Sequence, residues 1–300
     1  QAWHLGFLLG PRINAGGRIG DAALGARLLL TRDVAEAGRI AAELDRLNGE
    51  RRAIELATLA TAEAEAELAL GAAGQGAALV VAGDDWAPGI VGLVASRLKE
   101  KFGRPAFAVA FAGKTGTGSG RSVSGVDLGA AVRAAVEAGV LVKGGGHAMA
   151  AGVTVQRERL GDFRAFLEER LAAGVATARA KDALYVDGAL AASGATRGLV
   201  ASLAGAGPFG AGCPEPVFLL PRHRIVAAIP VGEDHLRVTA AAGDGSKIDA
   251  MAFRAKSSAL GQALPELAGA GAHLAVSLSL DHYGGRERVQ ARLVDAAPAN

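Results

Sequence analysis

Gly144-Gly145-Gly146-His147-Ala148-Met149-Ala150-Ala151-Gly152 is the stretch on which the reading of this chain turns. Three consecutive glycines open backbone conformations with positive φ that side chains disfavour. Such a backbone can turn several N–H groups into one concavity and hold a phosphate or another oxyanion. His147 follows at once, able to donate to that anion or to move a proton near neutral pH. The small residues beyond it let a second surface approach. A glycine-rich turn with its histidine satisfied by a neighbouring carbonyl is the structural alternative, and the motif's chemistry leaves both open.

Around this motif, residues 77–175 alternate between strand-like and helix-like runs. Ala78–Val81 and Ala106–Phe111 read as strands, and Gly152–Val155 leads into a third. Ile90–Lys101 reads as a helix entered through the Pro88-Gly89 turn, Asp127 opens another to about Ala138, and Leu160–Leu171 is amphipathic. The pattern predicts an α/β domain with helices on a sheet and its glycine-rich loops between elements, where ligands bind. Gly113–Arg121, GKTGTGSGR, combines four glycines, three hydroxyls, Lys114 and Arg121, the makings of an anion cradle or of a plain hairpin. Lys114 precedes the glycines, so the stretch lacks the order of a Walker A loop, which argues against nucleotide hydrolysis of that kind. Asp84-Asp85 ends the first strand; neighbours on an extended chain point to opposite sides, which favours a solvated loop over metal ligation.

Upstream, Gly10–Ala22 (GPRINAGGRIGDA) sets Arg12 and Arg18 among glycines in a turn-rich stretch. Two guanidiniums so placed can grip phosphate bidentately or be merely solvated. Asp33 and Glu36 have the spacing of a capping box. No proline and only two glycines follow up to Leu70, and Ile40, Leu44, Leu47, Ile54 and Leu68 fall near one helical stripe. The expected helix, roughly 50–60 Å long at 1.5 Å per residue, reads as a connector between domains.

Residues 180–296 change to β-like runs: Ala183–Val186, Val217–Leu220, Arg224–Ile229, Leu236–Ala241, Ile248–Phe253, Leu274–Leu280 and Arg288–Val294. Asp244-Gly245 marks a hairpin turn, and Ser257–Leu267 is a late helical insertion. About five strands with one helix inserted late predict a small closed barrel of OB type. Its charges nearly balance, so affinity for a polyanion would rest on clusters such as Arg222 with Arg224 and Arg286 with Arg288; Tyr283 is placed to stack a base or simply to pack. The fold class is α/β plus all-β: a long connector helix, an α/β domain and an OB-type barrel.

Several of these stretches resemble one family. GGGHAMAAG is similar to the signature of the DHH-associated domain of the DHH phosphoesterases, whose glycine-histidine loop contacts substrate phosphates. Within that superfamily the chain resembles the RecJ exonucleases in four further places. Pro11–Arg18 is similar to their PRINAAGR segment, with Gly16 where alanine is usual; Asp85–Phe107 is similar too, but Ala87 stands where histidine or asparagine is usual. Gly118-Ser119-Gly120-Arg121-Ser122 is similar to GSGRS, and Pro208–Phe218 to PFGxGNPEPVF, with Cys213 in place of asparagine. The resemblance implies the end of a DHH domain at 1–32, the connector helix at 33–72, the DHH-associated domain at 77–176 and the OB domain at 180–296. It further implies a 5′→3′ exonuclease on single-stranded DNA, with Arg12, Arg18, Ser119, Arg121, Ser122, Gly144, Gly145, Gly146 and His147 against the nucleic acid and His147 in the catalytic machinery. Mn²⁺ or Mg²⁺ would be held by the upstream DHH domain and none by this chain. A single-strand-binding protein or a helicase are the protein partners to expect. A stand-alone binding module and a phosphodiesterase of short RNA or cyclic dinucleotides are the competing readings.

Composition bounds the rest. Three hundred residues, half of them apolar, suit about two domains, and the formal net charge of +2 requires any basic surface to be local. Cys213 alone excludes an intrachain disulfide and fits a reducing, cytoplasmic compartment. No apolar run approaches the roughly 18 residues of a membrane span, and the first residue, Gln1, leads abruptly into Leu5–Leu9, as in a piece of a longer protein. None of the six histidines has metal-ligand spacing with another, and neither DxD nor DHH occurs.

Overall fold

The computed structural model describes residues 4–71, 74–181, 183–210, 212–256, 258–283 and 286–299. Two compact units make up the chain, Gln1–Asp182 and Ala183–Asn300.

In the first unit the stretch expected to be turns folds into short helices, α1 (Gly10–Ile13), α2 (Gly16–Ile19) and α3 (Ala23–Leu30). Pro11 sits in the first turn of α1, where its missing N–H has no partner to lose. The connector is one helix, α4 (Val34–Leu70). Asp33 caps it by accepting from the N–H groups of Ala35 and Glu36 at 2.8 and 3.2 Å. The capping box is only half formed, because Glu36 turns instead to Thr31 and Arg27. Its buried stripe also differs from the expected one. Ile40, Leu44 and Leu47 are buried, but Ile54 and Leu68 face solvent. The stripe continues through Thr58, Ala62 and Ala66, four residues apart, and these small side chains let the helix lie close on the first strand and its helix.

The sheet follows as β1 (Leu79–Gly83), α5 (Val91–Phe102), β2 (Ala106–Ala112), β3 (Thr115–Arg121), α6 (Leu128–Glu137), β4 (Lys143–His147), β5 (Ala150–Gln156) and α7 (Leu160–Ala180). Strand order is β1-β2-β3-β5-β4; β1 and β2 are parallel and the other pairings antiparallel. Alternation along the strands sends Phe107, Val109, Phe111, Val153 and Val155 to α6 and α7. Leu79, Val81, Ala106, Ala108 and Ala110 go to α4 and α5. Phe107 meets Phe163 of α7 edge to face, ring centroids 5.2 Å apart.

Two glycine stretches expected as loops are strands. Thr115–Arg121 is β3, hydrogen-bonded on both sides, and Gly144–His147 belongs to β4 at the sheet edge. The reason lies across the sheet. Gly116, Gly118 and Gly120 pair with Phe111, Val109 and Phe107, whose side chains fold over them. A Cβ on Gly120 would stand 2.4 Å from the Phe107 ring. Gly120→Ala is therefore expected to destabilise the fold by about 1–3 kcal/mol, the usual cost of overpacking, with Thr117→Ala on the open face close to neutral. Denaturant midpoints of the two variants provide the check, and equal midpoints would contradict the packing role.

The second unit contains β6 (Gly188–Ala189), α8 (Arg197–Ala204), β7 (Phe218–Val231), β8 (His235–Ala241), β9 (Lys247–Ala252), α9 (Ala259–Glu266), β10 (Gly271–Tyr283) and β11 (Arg286–Pro298). Pairing of β10 with β7 closes β7–β8–β9–β11–β10 into a five-stranded barrel, with β11 parallel to β9 and α9 inserted before β10. Phe218, Leu220, Ile225, Leu236, Val238, Leu264, Leu274 and Leu293 fill it. The expected strand at 183–186 does not form, and only Gly188–Ala189 pairs, alongside β7. The runs at 217–220 and 224–229 are one strand, bent at Arg222 with φ 52°. Helix α8, not foreseen, is capped by Thr196. Gly245, φ 82°, turns β8 into β9 as the Asp-Gly signal requires. The side chains of Tyr283 and Arg286 lie outside the described residues.

Candidate nucleic-acid interface

Strand register assembles the site on the sheet face shared with α5. Ser119 pairs with Gly152, which pairs with Gly145; Arg121 pairs with Ala150, and that with His147; Thr117 pairs with Thr154, and that with Lys143. Side chains two residues apart share a face, so these nine positions form three rows on one side of β3, β5 and β4. The same side of β2 is covered by α5, whereas Lys143, Gly145, His147, Gly152 and Thr117 are exposed. The two sets of glycines differ. Gly144 and Gly146 face the opposite side, where a Cβ would meet Val132 at 2.6 Å or Ala150 O at 2.2 Å. Gly145 and Gly152 leave the open face bare, with nothing within 4 Å of either Cβ position.

At the β3 border of that face lies the first turn of α5, whose N-cap residue, Ile90, supplies no side-chain cap. A Cβ on Gly92 would come within 2.9 Å of Arg121 Nη2 and 3.2 Å of Ser119 Oγ, so both side chains lie against this helix end. Arg121 donates to Ser119 Oγ and to Gly120 O, each at 2.8 Å. Burial, followed by repulsion from Arg18, lowers the pKa of Arg121. Arg18 reaches the same place by donating to Gly89 O at 3.0 Å. Two guanidiniums thus converge beside a helix N-terminus, and among the described residues neither pairs with a carboxylate. Helix N-termini and clustered arginines both favour bound anions.

Four expected site residues, Arg12, Ser122, Gly144 and Gly146, stand apart from this cluster. Arg12 pairs with Asp45 at 2.7 Å and donates to Leu8 O, so its charge is engaged within the helices. Ser122 is buried and donates to Val126 O at 2.7 Å; it closes the turn after β3 and presents nothing to a ligand. Gly144 and Gly146 serve close packing, and Gly145 alone of the triplet opens on the face. His147 is exposed. Its Nδ1 accepts from Met149 N at 3.3 Å, rather than a carbonyl accepting from the ring, and the neutral ring then carries its proton on Nε2. The residues singled out from sequence did not include Gly92, Lys143 or Thr154, and they included Thr117 only as one of the three hydroxyls of Gly113–Arg121. The period-two alternation within TGTGSGR is the signal that would have aligned Thr117 with Ser119 and Arg121.

Asp84 is taken up by an ion pair with Arg157, which also lies over the Phe111 ring. Among the described residues no three His, Cys, Asp or Glu side chains converge as metal ligands, so the side chains present do not fit a metal ion. No described helix is long and apolar enough to cross a membrane.

Residues 74–173 match the model of the DHHA1 domain, and residues 186–295 that of the RecJ OB domain. The chain belongs to the RecJ family. The single-stranded-DNA-specific exonuclease RecJ of Dickeya dadantii is 35% identical over 301 residues, covering 96% of this chain and 50% of the relative. That of Salmonella typhimurium is 34% identical over 308 residues, 99% of this chain and 52% of the relative. The crystal structure of RecJ from Thermus thermophilus in complex with Mg²⁺ superposes with a TM-score of 0.80 at 30% identity, over all of this chain and 44% of that one. The same protein with Mn²⁺ gives 0.79 over 42% of that chain. The chain thus spans about half the length of the RecJ relatives it matches, and its matched domains are DHHA1 and RecJ OB.

Proposed function

We propose that this chain is the substrate-binding portion of a 5′→3′ exonuclease acting on single-stranded DNA in repair and recombination. The observation that carries the reading is the convergence of Arg18, Arg121 and Ser119 on the first turn of α5, beside a face left bare by Gly145 and Gly152. A terminal phosphate fits the arginine cluster, and the bare face admits the sugar-phosphate chain that follows. His147, in the row of Arg121, is positioned to donate from Nε2 to a phosphate oxygen. Mn²⁺ or Mg²⁺, which would activate water for the hydrolysis, is assigned to a DHH domain upstream, since among the described residues no three potential metal ligands converge. Residues 1–32 are read as the end of that domain, 33–72 as the connector, 77–176 as the DHH-associated domain and 180–296 as the OB domain, a further surface for single strands. Single-strand-binding protein or a helicase are partners to test, in the cytoplasm.

Titration of the chain with 5′-phosphorylated single-stranded DNA, its unphosphorylated counterpart, short RNA and a cyclic dinucleotide tests the reading. Preference for the phosphorylated DNA is expected, and tighter binding of the cyclic dinucleotide would overturn it. His147→Ala in the full-length protein is expected to lower turnover by about 10²-fold, the low end for a positioned proton donor. The melting temperature should hold, because an exposed ring with one long hydrogen bond contributes little to the fold. A large drop in melting temperature with normal specific activity would assign His147 to folding instead.

A further inference from the structure

Glycine in a strand weakens it and often marks the close approach of another chain or a ligand. Gly144 and Gly146 are required by packing, but Gly145 and Gly152 are not: neither has positive φ, and neither Cβ position has a neighbour within 4 Å. The fold leaves these two glycines unexplained. They floor a cavity of about 440 Å³ whose sides include Thr117, Thr154 and Lys143. Those three residues form the row farthest from Arg121 and His147. Among the described residues Lys143 has no ion pair, and neither threonine hydroxyl is hydrogen-bonded.

We infer that the Thr117–Thr154–Lys143 row is a second phosphate subsite, which holds the strand downstream of its anchored 5′ end. The inference rests on the proposed reading of Arg121 as the end anchor. An ammonium without an ion pair and two unbonded hydroxyls, as found among the described residues, supply the donors that a phosphodiester requires. The glycine floor between the rows leaves room for the intervening sugars and bases. Lys143 is four residues from His147 along β4, roughly 13 Å at about 3.3 Å per residue, and Arg121 is two strands further over at about 4.8 Å each. A nucleoside monophosphate anchored at Arg121 cannot bridge that distance; a short oligonucleotide can. The subsite therefore senses length and not the terminal phosphate.

The test compares the 300-residue chain with its Lys143→Ala, Gly152→Val and Arg121→Ala variants. Each is titrated with thymidine 5′-monophosphate and with a 5′-phosphorylated ten-residue oligothymidylate, and melting curves are recorded. Lys143→Ala is expected to weaken the oligonucleotide about tenfold, one charge-assisted contact, and to reduce its salt slope by about 0.7, with the monophosphate unaffected. Gly152→Val, whose side chain projects into open space, should keep the melting temperature and lose the oligonucleotide, while Arg121→Ala weakens both ligands. Equal weakening of both ligands by Lys143→Ala, or no weakening of either, overturns the subsite. Were Arg121→Ala also without effect, the end-binding reading would fail with it.

Discussion

Arg121→Ala is expected to weaken binding of 5′-phosphorylated single-stranded DNA by about tenfold to a hundredfold, the loss of a hydrogen bond to a charged group worth about 1.5–3 kcal/mol. The guanidinium is half-buried against Gly92, it donates to Ser119 Oγ, and Arg18 stands close enough to lower its pKa further after burial has done so. Two like charges held together with no carboxylate paired to either among the described residues are in tension until an anion arrives. The substitution should therefore leave the melting temperature of the free protein unchanged or raise it, while the ligand-bound protein loses stability. That combination separates a binding arginine from a structural one. Unphosphorylated DNA should lose less affinity, and the salt slope should fall by about 0.7 for each phosphate contact removed on a single strand. Arg121→Lys should fall between the two, since it keeps the charge and loses the planar fork. Equal losses with and without the 5′-phosphate would remove the end-binding role.

The sequence disclosed the parts whose signals are local. Asp33 and Asp127 announced helix starts, and each accepts from backbone N–H groups two or three residues on. Asp244-Gly245 announced its turn, and the late helix within a run of strands announced the barrel. What it hid depends on partners distant along the chain. TGTGSGR and GGGH are glycine-rich enough to pass for loops, and only Phe107, Val109, Phe111 and Val132 lying over them explain why they are strands. Ile54 and Leu68 looked like part of the buried stripe of α4, but the surface it meets selects Thr58, Ala62 and Ala66. Ser122 followed Arg121 in a matching motif, yet one step along a chain leaving a strand turns its side chain inward. Arg12 could not be told from Arg18 until Asp45 was seen beside it. The candidate site was half legible for the same reason: the motifs located β3 and β4, and cross-strand register decided which of their residues share a face.

The 300-residue chain by itself is expected to bind single-stranded DNA weakly and to release no nucleotides, even with Mn²⁺ or Mg²⁺ supplied. Phosphodiester hydrolysis of the metal-assisted kind needs carboxylates and histidines gathered round one or two ions. Here Asp84 is tied to Arg157, His147 has only Arg121 and Ala150 in its row, and no three candidate ligands converge among the described residues. The arginine cluster and the bare sheet face can position a phosphate, but positioning does not generate a nucleophile. Supplying a DHH domain, in trans or as the full-length protein, should restore cleavage, and the gain should be from background to a measurable rate rather than a modest factor. The measurement is a metal titration on 5′-labelled single strands, with an Arg121→Ala preparation as the control for contaminating nuclease. Metal-dependent release by the chain that disappears in that preparation would falsify the assignment of the chemistry to the DHH domain. Release that persists unchanged in it would expose a contaminant. A chain that binds without cutting, and cuts once the DHH domain is supplied, divides the labour as the geometry predicts: this half holds the strand, and the metal-bearing half breaks it.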